Sequence, residues 1–64
     1  MANQVKFELY RDIKQQYRWR LIAGNGEIVA TSESYTQLSS AKRSAERVRE
    51  IAGTAIITEH DNLK

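Results

Sequence analysis

Basic and aromatic side chains alternate with apolar ones in the first third of the chain, and they are the residues best suited to contact a ligand. Arg18 and Arg20 are two residues apart, and Lys6 and Tyr10 belong to an earlier alternating stretch. Residues two apart in a β-strand lie on one face, so all four can share a surface. Arginine and lysine bind phosphates, and an exposed aromatic ring can stack on a base. Weak nucleic-acid binding is therefore one hypothesis for this face.

The same residues can also form an ordinary solvated sheet face. Glu8 would lie opposite Arg20 as a cross-strand ion pair. One exposed aromatic is a thin stacking platform, and a formal net charge of +2 does not require nucleic acid. Ile22 and Val29 adjoin the face as a small apolar spot, which could belong to a surface that binds a partner protein.

Residues that carry catalysis or bind metals are scarce. The chain has no cysteine, which excludes disulfides and thiolate metal sites, and its one histidine, His60, lies in a polar tail. It has no glycine-rich phosphate loop, and Ser39 and Ser40 have no general base in view. The sequence therefore predicts neither an enzyme nor a cofactor or metal site.

A second group of charges lies on a segment with helical periodicity. Glu46 and Glu50 are four residues apart, a spacing that two metal ligands could use. They alternate with basic residues, which favours a solvated helix face over a metal site or a basic patch. The basic members are Lys42, Arg43, Arg47 and Arg49.

Two alternating runs, Val5 to Asp12 and Gln16 to Ala23, predict the strands that position the basic face. A hairpin centred near Lys14 pairs Leu9 with Trp19, Phe7 with Leu21 and Glu8 with Arg20. Asn25-Gly26 then predicts a two-residue type I′ turn, because both positions of that turn need positive φ. This turn would pair Leu21 with Ala30, Ile22 with Val29 and Arg20 with Thr31, in a three-stranded meander.

A helix and a fourth strand are predicted for the rest of the chain. Small and apolar residues recur at helical spacing from about Ser40 to Ala52, as a stripe of Ala41, Ala45, Val48 and Ala52. Ser39-Ser40 would cap the N-terminus, and Gly53 would end the helix in the left-handed region. The β-branched run Thr54 to Glu59 predicts a strand. The fold class is α+β, in the order β-β-β-α-β.

A chain of 64 residues gives one domain with a small core, which needs support from disulfides, a metal or a second chain. Without cysteine, a second chain is the expected support, so we predict a homodimer. No apolar run approaches the roughly 18 residues of a membrane span, and no signal peptide is evident, so a cytoplasmic location is expected.

The strings Lys6-Phe7-Glu8-Leu9-Tyr10, Tyr17-Arg18-Trp19-Arg20-Leu21 and Asn25-Gly26-Glu27-Ile28-Val29-Ala30-Thr31-Ser32, followed by Tyr35, resemble the YegP-like family of small proteins of unknown function. The resemblance implies a β(3)-α-β motif that occurs as a tandem repeat or as two subunits. Two motifs share a continuous sheet and exchange their C-terminal strands. Here the exchanged strand would comprise Thr54, Ala55, Ile56, Ile57 and Thr58.

The chain departs from the family's usual pattern at two loop positions. Gln15 and Ser34 stand where the family tends to have glycine. The family has no established activity or catalytic residues to carry over. The preferred prediction is a non-enzymatic homodimeric interaction or structural module, and the alternative is weak nucleic-acid binding through the face that holds Arg18 and Arg20.

Overall fold

The computed structural model describes residues 4–60, which form three strands followed by one helix. Strands β1 (Lys6–Arg11), β2 (Tyr17–Ile22) and β3 (Ile28–Thr31) make one antiparallel sheet in the order β1-β2-β3. Helix α1 spans Leu38–Ala52. The α+β class and the meander followed by a helix are confirmed. No helix within the described residues is long and apolar enough to cross a membrane.

The first hairpin has the predicted register, with Leu9 opposite Trp19 and Glu8 opposite Arg20. Its loop contains three residues between Asp12 and Gln16, whose backbones are joined by a 2.8 Å hydrogen bond from the Asp12 amide to the Gln16 carbonyl. The Asp12 carboxylate accepts hydrogen bonds from the amides of Lys14 and Gln16, both at 2.9 Å. Gln15 completes the loop at φ 67°, a left-handed conformation that favours glycine.

The second hairpin corrects the predicted turn. Its loop also has three residues, because the Ala23 amide donates to the Glu27 carbonyl at 2.8 Å and the Gly26 amide donates to the Ala23 carbonyl at 2.9 Å. Only Gly26 has positive φ there, at 89°, whereas a type I′ turn requires it at both central residues. The geometry is that of a turn followed by a bulge residue in the left-handed region.

The extra loop residue shifts the register at one end of β3. Leu21 faces Ala30 and Arg20 faces Thr31 as predicted, but Ile22 faces Ile28. The predicted pairing of Ile22 with Val29 is wrong, because a bulge between Leu21 and Ile22 absorbs the one-residue difference.

The core lies where α1 crosses the inner face of β1 and β2. Trp19, Ala41 and Ala45 are the buried hydrophobic residues of the described chain. The small side chains of the two alanines let the helix approach the indole ring closely, while the Phe7 ring meets Trp19 edge-on at 5.0 Å between centroids. The helix approaches β2 and β1 but not β3, which leaves all four residues of β3 exposed.

Both predicted ends of the helix need correction. The helix begins at Leu38, so Gln37 is the N-cap, and its side chain makes no capping hydrogen bond. Ser39 and Ser40 therefore lie inside the first turn. Gly53 has φ −70° and does not adopt the left-handed conformation, since the chain continues in a turn in which the Thr54 amide and hydroxyl both donate to the Ile51 carbonyl.

The fourth strand predicted for Thr54 to Glu59 is not formed. Residues 55–60 have no regular secondary structure, and Ile56 and Ile57 are 82% and 98% exposed. A strand needs a neighbour that supplies its backbone hydrogen bonds, and this single chain brings none of its own strands beside the segment.

Candidate binding surfaces of the sheet

Arg20 is held by two neighbours on the outer face of the sheet. Its Nε donates to the Glu8 carboxylate at 2.7 Å, and its guanidinium lies 4.5 Å from the centroid of the Tyr10 ring. Glu8 is the direct cross-strand partner of Arg20, so the pair follows from the confirmed register. One face of the Tyr10 ring is therefore covered by Arg20 and is not open to stack on a base.

Arg18 is held in a similar way near the end of β3. Its Nη2 donates to the Ser32 carbonyl at 3.1 Å, and its Nη1 lies 3.9 Å from the Asp12 carboxylate. Ser32 also fixes the backbone here, because its hydroxyl accepts from the Trp19 amide at 2.9 Å and donates to the Glu33 carbonyl at 2.7 Å. The arginine ties the first hairpin loop to the exit of β3.

The remaining members of the predicted binding face are less constrained. Lys6 is exposed, and no carboxylate of residues 4–60 lies within ion-pair distance of it. Ile22 is half-buried, whereas Ile28 and Val29 are about half exposed. The apolar spot formed by Ile22 and Val29 stays a prediction. Ile28, the cross-strand partner of Ile22, is a further half-exposed apolar residue beside them.

A shallow groove of about 190 Å³ lies beside β1, on the side of the sheet that carries the helix. Phe7, Leu9 and Ala45 supply its apolar surface, and three charged residues of the helix complete its lining: Lys42, Glu46 and Arg49. The helical charges predicted to face solvent thus include residues that border an apolar surface. Sequence periodicity placed them on the helix exterior but could not show how far the helix is offset toward β2.

A polar cluster around Ser44 joins the helix to the sheet and was not identified from the sequence. Trp19 Nε1 donates to the Ser44 hydroxyl at 2.9 Å, and the Tyr35 hydroxyl donates to the same oxygen at 3.0 Å. Tyr35 is positioned by two backbone hydrogen bonds with Tyr17, at 2.7 and 2.8 Å. The sequence did contain one indication of this cluster, because Ser44 is a polar residue among the small residues on the buried side of the helix.

No group of three or more histidine, cysteine, aspartate or glutamate side chains within residues 4–60 could hold a metal ion. The described residues instead leave strand edges and apolar surface open to solvent. It defines a class of molecule, a small α+β domain in which one helix covers part of a three-stranded meander.

Comparison with known proteins places the chain within this class. The family model "Domain of unknown function (DUF1508)" matches residues 12–59, and the chain belongs to this family, also described as UPF0339. A UPF0339 protein from Treponema denticola is 41% identical over 54 residues, which cover 84% of this chain and 93% of the relative. YegP from Escherichia coli (strain K12) is 46% identical over 43 residues, covering 67% of this chain and 39% of that protein.

A solved structure supports the fold. The NMR solution structure of a protein from Haloferax volcanii matches with a TM-score of 0.79 and 37% identity, over 91% of this chain and 98% of that chain. The resemblance to YegP-like proteins is confirmed. The family's function is unknown, and the descriptions of these relatives indicate no enzyme activity.

Proposed function

We propose that the chain is a non-enzymatic homodimeric module that acts through protein contacts or as a structural accessory. The observation that carries the proposal is the thin core. The buried hydrophobic side chains of residues 4–60 belong to one tryptophan and two alanines, and no large side chain is fully buried. Small domains without disulfides or metals often obtain the missing burial from a second chain.

The exposed C-terminal segment supplies the apolar surface for such an interface. Ile56 and Ile57 are far more exposed than a large aliphatic residue in a finished core. We propose that segment 54–58 forms the fourth strand only in the dimer, by pairing with the free edge of β1 on the other subunit. One of its isoleucines would then cover the groove formed by Phe7, Leu9 and Ala45.

The contacts that the arginines of the outer sheet face already make favour this proposal over nucleic-acid binding. Arg18 and Arg20 already have intramolecular acceptors, and Arg20 covers one face of the Tyr10 ring. Binding phosphates would require these contacts to be exchanged. Electrophoretic shifts with single-stranded RNA and duplex DNA at two salt concentrations test the alternative. A shift with a steep salt dependence, lost in the R18A/R20A variant, would support it.

The mass in solution tests the dimer. Light scattering at micromolar concentration should give twice the 7.4 kDa mass of the chain. Ile56→Asp and Ile57→Asp introduce a charge into the proposed interface, and at least one of them should yield monomers. Ile13→Asp is the matched control, because Ile13 is 94% exposed in the first hairpin loop. A wild-type mass of one chain would overturn the proposal.

The location of the segment can be tested separately. A spin label is attached at Thr58→Cys in chains without ¹⁵N, which are mixed with ¹⁵N-labelled chains that carry no label. Broadening of the β1 amides in the mixture would show that segment 54–58 reaches the other subunit. Broadening that occurs only when label and ¹⁵N are on the same chain would contradict the exchange of strands while leaving a dimer possible.

A further inference from the structure

β3 forms the edge of the sheet opposite to β1, and it is the least covered strand. Its four residues are all exposed, and α1 does not approach it. Edge strands in proteins are commonly protected by a short length, a bulge, lysine, proline or a covering element. β3 has four residues and pairs with β2 through one bulge, but it carries no lysine, proline or covering helix. Its residues Ile28 and Val29 give it an apolar surface that is about half exposed.

Both ends of β3 are held in place, so the edge is formed before any partner arrives. The three-residue loop with Gly26 in the left-handed conformation joins it to β2. At the other end, the Ser32 amide donates to the Trp19 carbonyl at 3.0 Å, while the Ser32 hydroxyl accepts from the Trp19 amide. A fixed strand edge can pair with an added strand without first losing conformational entropy of its own.

The charges beside β3 indicate the chemistry of the partner. Glu27 precedes the strand and Glu33 follows its exit, and both residues are exposed. Neither carboxylate has an ion pair or a hydrogen bond with the described part of the chain. In contrast, the carboxylates of Glu8 and Asp12 are paired with the arginines of the outer face. Two acidic groups that bracket an open strand complement a segment with basic ends.

The same charges oppose pairing of β3 with a second copy of the chain. A two-fold antiparallel arrangement centred on Ala30 would place Glu27 of each copy opposite Glu33 of the other, and like charges opposite one another destabilise a sheet. Segment 54–59 carries no basic residue and ends with Glu59, so it also lacks the matching charges. Both observations point to a different protein as the occupant.

We propose that the free edge of β3 binds an extended segment of another protein that has alternating apolar residues and a lysine or arginine at each end. The backbone of the segment adds a strand to the sheet. Its apolar side chains contact Ile28 and Val29, and its basic ends pair with Glu27 and Glu33. This inference is independent of the dimer proposed above, which uses the opposite edge of the sheet.

Synthetic peptides test the proposal on the full chain. The probe is acetyl-Lys-Thr-Val-Thr-Val-Thr-Lys-amide, whose two lysines are six residues apart, as Glu27 and Glu33 are. Its matched control has glutamate in place of both lysines. Amide spectra of the ¹⁵N-labelled chain should show saturable shifts concentrated in residues 27–33 when the basic peptide is added. Exposed ion pairs contribute about 0.2–1 kcal/mol each, so the basic peptide should bind roughly tenfold more tightly than the acidic one.

Charge-reversed variants separate local pairing from net charge. E27K/E33K should reverse the preference between the two peptides. The single variants E27K and E33K should each weaken the preference. E50K changes the net charge of the chain by the same amount as either of them, but on the helix and outside the groove beside β1, and it should leave the preference unchanged. All three positions are exposed, so the variants are expected to fold.

Three results would overturn the proposal: the absence of shifts at millimolar peptide, equal affinity for the two peptides, or equal effects of E27K and E50K on the preference between them. The mass of the E27K/E33K protein is measured in parallel. An unchanged mass together with a failed peptide titration would reject the β3 site without bearing on the dimer.

Discussion

Replacing Ser44 by alanine removes the hydrogen-bond acceptor that connects the helix to the sheet. The Ser44 hydroxyl accepts from Trp19 Nε1 and from the Tyr35 hydroxyl. Trp19 is only 6% exposed, so its indole N–H has little access to water once the acceptor is lost. Tyr35 is only half-buried, so leaving its hydroxyl without this acceptor is expected to cost less. The loss is therefore dominated by the indole group.

The magnitude follows from these two environments. Leaving a buried donor without an acceptor costs about 1–3 kcal/mol. Alanine has a higher helix propensity than serine, by about 0.5 kcal/mol, which offsets part of this cost. Ser44→Ala should therefore lower the free energy of unfolding by about 0.5–2.5 kcal/mol. In a domain of this size, each kcal/mol corresponds to a decrease in Tm of about 4–8 °C.

Urea denaturation followed by Trp19 fluorescence measures the effect, since the chain has one tryptophan. Chain concentration is held constant, because association would make the apparent stability depend on it. Ser39→Ala is the matched control, since Ser39 lies in the same helix, is exposed and receives no hydrogen bond from the sheet. It isolates the gain in helix propensity from the loss of the acceptor.

A double-mutant cycle with Tyr35→Phe tests the coupling within the cluster. Tyr35→Phe alone should cost less than Ser44→Ala, because Ser44 can still accept from Trp19. If Ser44→Ala proved as stable as Ser39→Ala, the indole hydrogen bond would make no net contribution. The role given to Ser44 would then be refuted.

Three further changes test the local conformations of the backbone. Gln15→Gly should raise the free energy of unfolding by about 1 kcal/mol, because Gln15 has φ 67°. The substitution removes only one side-chain hydrogen bond, from Arg11 at 3.3 Å. An unchanged midpoint in urea denaturation would show that Gln15 is not strained. Gly26→Ala should lower the free energy of unfolding by about 1–2 kcal/mol because Gly26 has φ 89°. The backbone conformation is the whole cost, since an added Cβ would meet no atom within 4 Å. Gln37→Asp should raise the Tm through about 1 kcal/mol of N-capping, with Gln37→Leu as the control that supplies no cap.

The first hairpin was predictable because alternation fixes its register. A shift of one residue would have turned Phe7, Leu9 and Trp19 toward water, so the apolar pattern allows one pairing on the inner face. The same register placed Glu8 opposite Arg20, which the structure confirms. The resemblance also marked Gln15 as a departure from an expected glycine, and its positive φ is a conformation that glycine adopts without strain.

The second hairpin shows where local patterns become insufficient. Asn25-Gly26 is compatible with a two-residue turn, which pairs Leu21 with Ala30 directly, and with a three-residue loop, which does so only when a bulge follows. The Asn25 carboxamide accepts from the Glu27 amide at 3.0 Å, which supports the longer loop. The bulge then restores the register within β3. The alternation of apolar and polar residues predicts the restored register, but it does not reveal the extra residue in the loop.

The sequence predicted a binding site on the outer face of the sheet, whereas the structure shows its uncovered surfaces at the two edges of the sheet. A charged residue identifies a binding surface only when its charge is not already satisfied, and pairing depends on distances that a sequence does not contain. Arg18 and Arg20 are satisfied within the sheet. The apolar groove beside β1 and the acidic ends of β3 are surfaces that the described chain does not complete. Function in so small a domain is therefore expected at its strand edges, where backbone groups and apolar surface are available together.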